Sequence, residues 1–293
     1  MYEWLDKTVY PFRPNYFDLP MGRMHYVDEG SADHAVVMVH GNPAWSFAYR
    51  KFIACLSPHY RCIAPDHLGF GLSDKPLAWD YLPEGHAQNL ERLLQALDPA
   101  SITLVVGDWG GPIGLSYAVR FPEKIRSIII TNTWMWPVNG VLHYEMFSRL
   151  MGGFIGRFLI KRYNFFVTVL MKKMFKARMA PSIHRHYIAP LNDPQERKGC
   201  WTFPRQIIGS SQWLGKLWHK RQMIADKPAM ILWGMQDIAF RDIELAQWKD
   251  LFSDAEIHTF EHAGHFVQEE IGENLCPLII DHLSRVIPEP ERG

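Results

Sequence analysis

The chain has 293 residues, 47 % of them hydrophobic, which is enough to bury one large core, and α/β folds of this length often form one domain. Its 31 Lys and Arg residues balance 31 Asp and Glu residues, which argues against a polyanionic partner such as nucleic acid. The most apolar stretch, residues 154–179, is interrupted by Arg and Lys, so a membrane-spanning helix is not expected.

The cysteines and the N-terminal residues bear on the cellular compartment. Cys55, Cys62, Cys200 and Cys276 lack the close paired spacing of a zinc site or a redox motif, so we expect reduced thiols and no bound metal. The first residues, Met1–Asp6, have neither a basic start nor an apolar run, so they predict no secretory signal. The protein is therefore expected to be cytoplasmic.

Short β-branched runs alternate with helical patterns along most of the chain. These runs are residues 36–39, 62–64, 102–106, 128–130, 230–233 and 257–260. Because they are apolar on both faces and separated by amphipathic segments, they predict a mostly parallel sheet covered by helices, an α/β fold.

The alternation stops after Thr131 and resumes at Pro228. The intervening sequence is rich in Met, Phe, Trp and Arg and has helical periodicity, which predicts a helical cap inserted into the core. We assign residues 137–213 to this cap and residues 1–136 and 214–293 to the core. Four cap aromatics at helical spacing are expected to be buried: Phe147, Phe154, Phe165 and Phe166.

The cap differs from the core in charge. Residues 137–213 contain twelve Lys and Arg residues but three acidic residues. The favoured interpretation is a solvated basic outer face on an apolar lid, and the alternative is a surface for self-association or for peripheral contact with an anionic membrane.

Residues that directly follow each predicted strand deserve attention, because catalytic groups collect at the carboxyl ends of parallel strands. The segment VGDWGG, residues 106–111, resembles a nucleophile elbow with Asp108 in the position that esterases give to Ser. Val106 replaces the first Gly of the Ser form, while Gly107 and Gly110 still permit a sharp turn. The alternative is that Asp108 caps a helix that begins near Gly110.

Three further residues follow other predicted strands. The segment HGNP, residues 40–43, resembles an oxyanion-hole loop in which the backbone N–H of Asn42, with that of Trp109, faces developing negative charge. The alternative is an ordinary turn, with Pro43 in the cis form. Asp237 and His265 follow the two last runs, and the order nucleophile, acid, histidine is typical of the α/β-hydrolase fold. Asp242 and His262 are the competing acid and histidine.

Four segments together resemble the motifs of haloalkane dehalogenases: HGNPAWS (40–46), GDWGG (107–111), FPRQI (203–207) and AGHF (263–266). The resemblance implies an α/β-hydrolase fold with an eight-stranded, mostly parallel sheet. It also implies that the side chains of Asn42 and Trp109 donate N–H groups to a halide. Asn132 occupies the position of the acid after the sixth strand in part of the family, so the sequence resembles the subgroup with an Asp-His-Asp triad and an Asn/Trp pair.

The resemblance implies a two-step reaction without a cofactor. Asp108 displaces halide from carbon to form an alkyl ester, and His265, oriented by Asp237, activates the water that hydrolyses it. The expected partners are a small halogenated aliphatic substrate, water and the halide product, and the expected organic product is a primary alcohol. Candidate pocket walls are Trp134, Phe147, Phe203, Pro204, Ile207, Ile238 and Phe266.

Two alternatives remain at this point. An epoxide hydrolase resembles this chain in its Asp nucleophile but stabilises an alkoxide with a pair of cap tyrosines, for which Tyr144, Tyr163 and Tyr187 are candidates. Asn42 favours the halide site. The other alternative is a non-catalytic hydrolase-fold scaffold that uses the basic cap as its working surface.

Overall fold

The computed structural model describes residues 3–287, so Met1 and Tyr2 of the stretch used to predict the absence of a secretory signal lie outside it. One eight-stranded sheet has the strand order β1-β2-β4-β3-β5-β6-β7-β8. The strands are β1 (Asn15–Leu19), β2 (Gly22–Glu29), β3 (His34–Val39), β4 (Arg61–Pro65), β5 (Ser101–Asp108), β6 (Ile125–Thr133), β7 (Ala229–Gly234) and β8 (Glu256–Phe260).

The sheet is parallel from β4 to β8, and β1 and β2 form an antiparallel hairpin at one edge. Strands β3 and β7 are buried along their whole length, as their uniformly apolar sequences predict. The hairpin is not among the predicted runs because its residues alternate between more and less exposed positions, a weaker apolar signal. The predicted eight-stranded, mostly parallel α/β fold is confirmed.

Helices cover the sheet and fill the interval between β6 and β7. They are α1 (Arg50–Leu56), α2 (Pro83–Leu97), α3 (Gly110–Ala118), α4 (Leu142–Gly152), α5 (Phe154–Tyr163), α6 (Met171–Met174), α7 (Pro181–Ile188), α8 (Lys198–Gly209), α9 (Ser211–His219), α10 (Asp242–Leu251), α11 (Val267–Glu270) and α12 (Gly272–Val286). Helices α1, α11 and α12 pack together, and α3 packs against α2 and α9. The position predicted for the end of the cap, residue 213, falls inside α9.

A buried ionic cluster joins the cap to the core. The Arg50 guanidinium on α1 donates to both carboxylate oxygens of Glu269 on α11, at 2.5 and 2.6 Å. The Tyr187 hydroxyl on cap helix α7 donates to the same carboxylate at 2.5 Å. Arg50 and Glu269 are 8 % and 6 % exposed, so the charges neutralise each other away from water.

Two expectations from the sequence are wrong. Cys55 on α1 and Cys276 on α12 form a disulfide across a separation of 221 residues, whereas Cys62 and Cys200 are free and buried. Sequence spacing could not reveal this pair because only the packing of α1 on α12 brings the two cysteines together. Phe154 and Phe147, both expected to be buried, are 86 % and 36 % exposed.

Candidate active site

The nucleophile elbow is built where β5 turns into α3. Asp108 ends β5 with a φ of 49°, a strained left-handed conformation for a residue with a side chain. A Cβ at Gly110 would lie 1.9 Å from the Val39 carbonyl oxygen, so only glycine lets α3 start this close to β3. The N-cap of α3 is Trp109 and no side chain caps it, so Asp108 is not the helix cap. Its carboxylate is left to face the cavity.

The loop after β3 holds one oxygen of that carboxylate. The Asn42 backbone N–H donates to Asp108 Oδ1 at 2.7 Å, and the Trp109 backbone N–H also hydrogen bonds to this carboxylate. The peptide bond between Asn42 and Pro43 is cis. A Cβ on Gly41 would lie 2.1 Å from Asp108 Oδ1, so the loop reaches the carboxylate because position 41 has no side chain. Two backbone donors directed at one carboxylate are the arrangement that an oxyanion hole requires.

The histidine and the second acid complete the arrangement. His265 Nδ1 lies 2.8 Å from Asp237 Oδ2, and His265 Nε2 lies 3.7 Å from Asp108 Oδ2. Asp237 Oδ1 accepts from the Ala239 backbone N–H at 2.7 Å, which fixes the carboxylate. The competing residues do not join: Asp242 begins α10 and is exposed, and His262 is exposed on its loop.

Burial and charge shift the pKa values of Asp108 and His265. Burial raises the pKa of the Asp108 carboxyl group, while His265 and the backbone N–H groups of Trp109 and Asn42 oppose the rise. Burial also acts to lower the pKa of His265, but the Asp237 carboxylate and, less strongly, the Asp108 carboxylate overcome it, so this pKa lies above its ordinary value. Perturbed, coupled groups of this kind are typical of catalytic sites.

Asn132, in the position that holds the acid in part of the family, has a different task. Its side-chain amide donates to the Gly234 carbonyl oxygen at 3.0 Å, and its oxygen accepts from the Gly234 backbone N–H at 2.8 Å. This reciprocal pair joins the ends of β6 and β7. The acid beside His265 comes from the loop after β7 instead.

A cavity of about 210 Å³ lies above Asp108, between the core and the cap. It is lined by Asn42, Asp108, Trp109, Trp134, His143, Tyr144, Phe147, Phe166, Leu170, Met174, Pro204, Ile207, Ile238, Ala239, Phe240 and Arg241. Five of the seven predicted pocket walls are among them. The walls are mostly apolar, as expected for a site that takes an aliphatic molecule.

Two predicted pocket walls do not line this cavity. Phe203 is fully buried behind it, with its ring 5.1 Å from the rings of Trp109 and of His86. Phe266 stacks on Phe175 at 4.9 Å. Phe203 directly precedes Pro204, and Phe266 directly follows His265, both of which reach the site. Side chains at neighbouring positions point in different directions, so the motifs alone could not identify which residue faces the substrate.

Several lining residues were missed by the sequence analysis. Phe166, Leu170 and Met174 lie at intervals of four residues and form one face of a helical segment toward the cavity. That spacing is the signal that could have found them. Phe240 stacks on the imidazole of His265 at 5.6 Å, and its proximity in sequence to Asp237 was the available clue.

The cap also contacts the loop that carries the base. The His265 backbone N–H donates to the carbonyl oxygen of Met174, the last residue of α6, at 3.0 Å. The Glu270 carboxylate accepts hydrogen bonds from the backbone N–H of Gly264 on one side and from the backbone N–H groups of Lys176 and Ala177 on the other, at 2.8 to 2.9 Å. Cap and catalytic loop therefore share hydrogen bonds.

The halide pair predicted from the resemblance borders the same cavity. Asn42 and Trp109 line it with Asp108, and their side chains are 4 % and 2 % exposed. Trp109 is held by edge-on contact with Trp134 at 4.7 Å. Neutral N–H donors in an apolar pocket suit a large monovalent anion. Within residues 3–287, no group of three or more His, Cys, Asp or Glu side chains could hold a metal ion.

The candidate tyrosines of the epoxide-hydrolase alternative are dispersed. Tyr144 lines the cavity, but its hydroxyl donates to the Ala239 carbonyl oxygen at 3.1 Å. Tyr163 is 56 % exposed on the cap surface, and the hydroxyl of the fully buried Tyr187 is used by Glu269. These three residues do not form a pair of donors that faces Asp108.

Comparison with known proteins identifies the family. A family model described as the alpha/beta hydrolase fold matches residues 34–178 and 202–270. The chain therefore belongs to the α/β-hydrolase fold family, among relatives of the haloalkane dehalogenases. Haloalkane dehalogenase 2 of Mycobacterium tuberculosis is 34 % identical over 278 residues, which cover 94 % of this chain and 96 % of that protein.

One solved structure and one further relative are also similar to this chain. The crystal structure of the haloalkane dehalogenase DatA from Agrobacterium tumefaciens superimposes with a TM-score of 0.84 at 26 % identity, covering 94 % of this chain and 97 % of that one. The cis-3-alkyl-4-alkyloxetan-2-one decarboxylase of Xanthomonas campestris is 35 % identical, covering 94 % of this chain and 97 % of that protein. Relatives with different named activities therefore share this chain's length.

Proposed function

We propose that this protein hydrolyses haloalkanes to a primary alcohol and halide through an alkyl ester on Asp108. The observation that supports the proposal is that the two oxygens of that carboxylate have different surroundings. Oδ1 accepts from the Asn42 backbone N–H, the Trp109 backbone N–H also hydrogen bonds to this carboxylate, and Oδ2 lies 3.7 Å from His265 Nε2. Asn42 and Trp109 line the cavity together with Asp108. One oxygen is thus prepared to become a carbonyl and the other to form a bond.

In the first step, Asp108 Oδ2 attacks the halogen-bearing carbon in line. A carbon–oxygen bond forms, the carbon–halogen bond breaks, and its electron pair leaves with the halide. The side chains of Asn42 and Trp109 donate hydrogen bonds to that halide. Because the cavity is apolar, little water is available to hydrogen bond to the Asp108 carboxylate or to the halide. The attraction between the halide and its two donors is therefore stronger than it would be in water.

In the second step, His265 Nε2 removes a proton from water, and the resulting hydroxide attacks Asp108 Cγ. The ester carbonyl oxygen, formerly Oδ1, becomes the oxyanion and already accepts from the Asn42 backbone N–H, while the Trp109 backbone N–H also hydrogen bonds to the Asp108 carboxylate. The alkoxide leaves as the alcohol after it takes the proton from His265, and the Asp108 carboxylate is restored, with one proton released overall. Asp237 holds the imidazole by its Nδ1 and stabilises it when it is charged.

Ester formation itself prepares the base. The negative charge of Asp108 is one of the influences that raise the pKa of His265. When the carboxylate becomes a neutral ester, that influence disappears and the imidazole loses part of its affinity for a proton. His265 is therefore more often in its unprotonated form when water must be activated.

The competing reaction with an epoxide is disfavoured by the cap. Opening an epoxide leaves an alkoxide on the substrate, which needs a donor across the cavity from Asp108. Tyr144 is the candidate tyrosine that lines the cavity, and its hydroxyl donates to Ala239. The intact, buried pair of Asp237 and His265 likewise argues against a non-catalytic scaffold.

Decarboxylation of an oxetan-2-one is the second candidate. It is supported by the 35 % identity to the Xanthomonas campestris decarboxylase, which matches the 34 % identity to haloalkane dehalogenase 2. Asp108 would attack C4, the alkyl-bearing ring carbon that is bonded to the ring oxygen. The bond between C4 and the ring oxygen would break, and the ring would open to a carboxylate. Loss of carbon dioxide would then form the carbon–carbon double bond and expel Asp108, without consuming water.

Product analysis of the purified protein tests these candidates. With 1-bromobutane or 1,2-dibromoethane we expect bromide and alcohol in equal amounts, and neither product from Asp108→Asn. The His265→Ala protein should accumulate an alkyl adduct on Asp108 whose mass is that of the substrate less hydrogen bromide, with a loss of turnover of about 10²–10⁴-fold.

The remaining outcomes exclude one candidate or the other. Carbon dioxide and an alkene from a cis-3,4-dialkyloxetan-2-one, with no bromide from any bromoalkane, would replace dehalogenation by decarboxylation. Diol from styrene oxide without bromide release would favour the epoxide hydrolase. An unmodified Asp108 in a folded His265→Ala protein would overturn the covalent scheme.

A further inference from the structure

The outer face of the cap carries exposed apolar side chains in a regular order. On α4, Leu142, Met146 and Leu150 follow one another at intervals of four residues and are 71 %, 61 % and 57 % exposed. On α5, Phe154 and Ile155 are 86 % and 61 % exposed. We call Leu142, Met146, Leu150, Phe154, Ile155 and Phe158 the apolar row. Contiguous apolar surface of this kind marks an interaction site.

The apolar row is not the result of a loosely packed cap. The opposite face of α4 is anchored, because Tyr144 and Met151 are buried and the Ser148 hydroxyl donates to the Arg205 carbonyl oxygen on α8. The helix is therefore fixed in an orientation that keeps Leu142, Met146 and Leu150 outside. Their exposure is a property of the folded cap.

The charges around the apolar row are mainly positive, since residues 142–158 contain one acidic residue, Glu145, and its carboxylate is paired with Arg149. Between Glu145 and Asp193 the sequence contains nine Lys and Arg residues and no acidic residue. Of these nine, only Arg149 pairs with a carboxylate in the part of the chain that the structure describes. Three of them, Arg157, Lys161 and Arg162, lie on α5 together with Phe154, Ile155 and Phe158 and are exposed.

We propose that this face of the cap docks on the surface of an anionic lipid bilayer, with the apolar row inserted between headgroups. Apolar residues beside Arg and Lys, on helices that lie along the surface, are the features that hold interfacial helices at a membrane. None of the helices in residues 3–287 is both long and apolar enough to span a bilayer, so the contact is peripheral.

Charge favours a bilayer over a second copy of the chain. A two-fold contact through the same face would place the Arg and Lys residues of both copies against each other, and like charges oppose such a contact. Anionic headgroups offer the opposite sign to every one of these cations. Each contributes about 1 kcal/mol near such a surface, which is roughly a fivefold gain in affinity.

The position of the cavity gives the contact a consequence for substrate entry. Phe147 on α4 and Ile238 both line the cavity and are themselves 36 % and 55 % exposed, so the cavity opens at these residues. Phe147 lies between Met146 and Leu150 of the apolar row in sequence. A docked cap therefore brings the opening close to the lipid, where sparingly soluble substrates concentrate. This inference does not depend on which bond Asp108 attacks.

Vesicle binding by the purified full-length protein tests the proposal. We expect co-sedimentation with phosphatidylcholine vesicles that contain about 30 % phosphatidylglycerol, weaker binding to pure phosphatidylcholine, and loss of binding as salt screens the charges. The double variant Phe154→Ser, Ile155→Ser should raise the vesicle Kd about tenfold or more. The double variant Lys161→Gln, Arg162→Gln should raise it about 25-fold.

Leu77→Ser is the matched control, since Leu77 is an exposed apolar residue, at 56 %, on a loop of the core. It should bind vesicles as the unsubstituted protein does, and thermal unfolding should show all variants folded. Binding that is equal on neutral and anionic vesicles, or unchanged in both double variants, overturns the proposal. Self-association in sedimentation equilibrium that is abolished by Phe154→Ser, Ile155→Ser would also overturn it, because a second copy would then cover the face.

Discussion

The carboxylate of Asp237 and the imidazole of His265 are joined at 2.8 Å between Oδ2 and Nδ1, with 0 % and 1 % of their side chains exposed. The partner is what raises the pKa of the histidine, because burial alone acts in the opposite direction. In the unsubstituted protein, ester hydrolysis should therefore lose rate as pH falls through the pKa of His265, which the Asp237 carboxylate still acts to raise after ester formation has removed the contribution of Asp108.

Asp237→Asn should move this acidic limb to lower pH. The amide keeps a hydrogen-bonding group but removes the charge that favours protonated His265, so burial then lowers the pKa. The maximal rate should fall about 10²–10⁴-fold because the charged imidazole loses its stabilisation. The measurement is the pH profile of single-turnover ester hydrolysis. An acidic limb that stays at the same pH in Asp237→Asn would mean that the Asp237 charge does not raise the pKa of His265.

Gly41→Ala should abolish turnover without unfolding the protein. The new Cβ would lie 2.1 Å from Asp108 Oδ1, so either the nucleophile or the Asn42 donor must move. A displacement of that size costs about 100-fold or more in rate. Gly215→Ala is the control, since its nearest neighbour outside its own helix, Pro137 Cγ, would be 3.6 Å away. Normal turnover in Gly41→Ala would contradict the assigned position of the loop.

Asn42→Leu should weaken the halide site and leave the oxyanion hole intact. The substitution removes the side-chain amide but keeps the backbone N–H that donates to Asp108. We expect bromide release in a single turnover to slow about 10²–10³-fold, with hydrolysis of preformed ester much less affected. Bromide affinity, followed by tryptophan fluorescence, should fall in parallel. Unchanged affinity would place the halide elsewhere.

Glu269→Ala should destabilise the fold by about 3–5 kcal/mol, because it leaves Arg50 as a buried, unpaired cation and removes the acceptor of Tyr187. Urea unfolding measures the loss. Arg149→Ala is the comparison, since its pair with Glu145 is exposed and contributes less than about 1 kcal/mol. Equal losses in the two variants would mean that burial of the ionic cluster is unimportant.

Thiol counting tests the disulfide between Cys55 and Cys276. The unfolded, unreduced protein should expose two reactive thiols, from Cys62 and Cys200, and reduction should expose all four. Cys276→Ser should cost about 2–4 kcal/mol of stability. Four thiols before reduction would contradict the bond. Disulfides are typical of oxidising compartments, so this result also bears on the cytoplasmic location, which stays a prediction.

The fold was predictable because its signals are local. Each central strand is a short apolar run, and the elbow motif places Asp108 at the end of one of them. The choice of acid was less local: Asp237 and Asp242 both follow β7, and the fold shows that Asp237 meets His265 whereas Asp242 begins α10 and is exposed.

Side-chain direction could not be read from sequence motifs. Phe203 and Phe266 lie beside Pro204 and His265 in the chain, yet their rings turn into the core. Likewise, Cys55 and Cys276 meet only because α1 and α12 are neighbours, and Phe154 is exposed because α5 directs it outward. Each depends on how helices pack, which periodicity alone does not determine.

The hydrogen bonds between Met174 and His265, and between Glu270 and residues 176–177, have a kinetic consequence. Lifting the cap as a rigid lid would pull on the loop that carries the base and would break these bonds at every turnover. We therefore expect substrate and product to pass while the cap stays in place, through rotation of side chains at the opening. On this view the size of that opening, rather than a hinge, would set which molecules enter and how fast the product leaves.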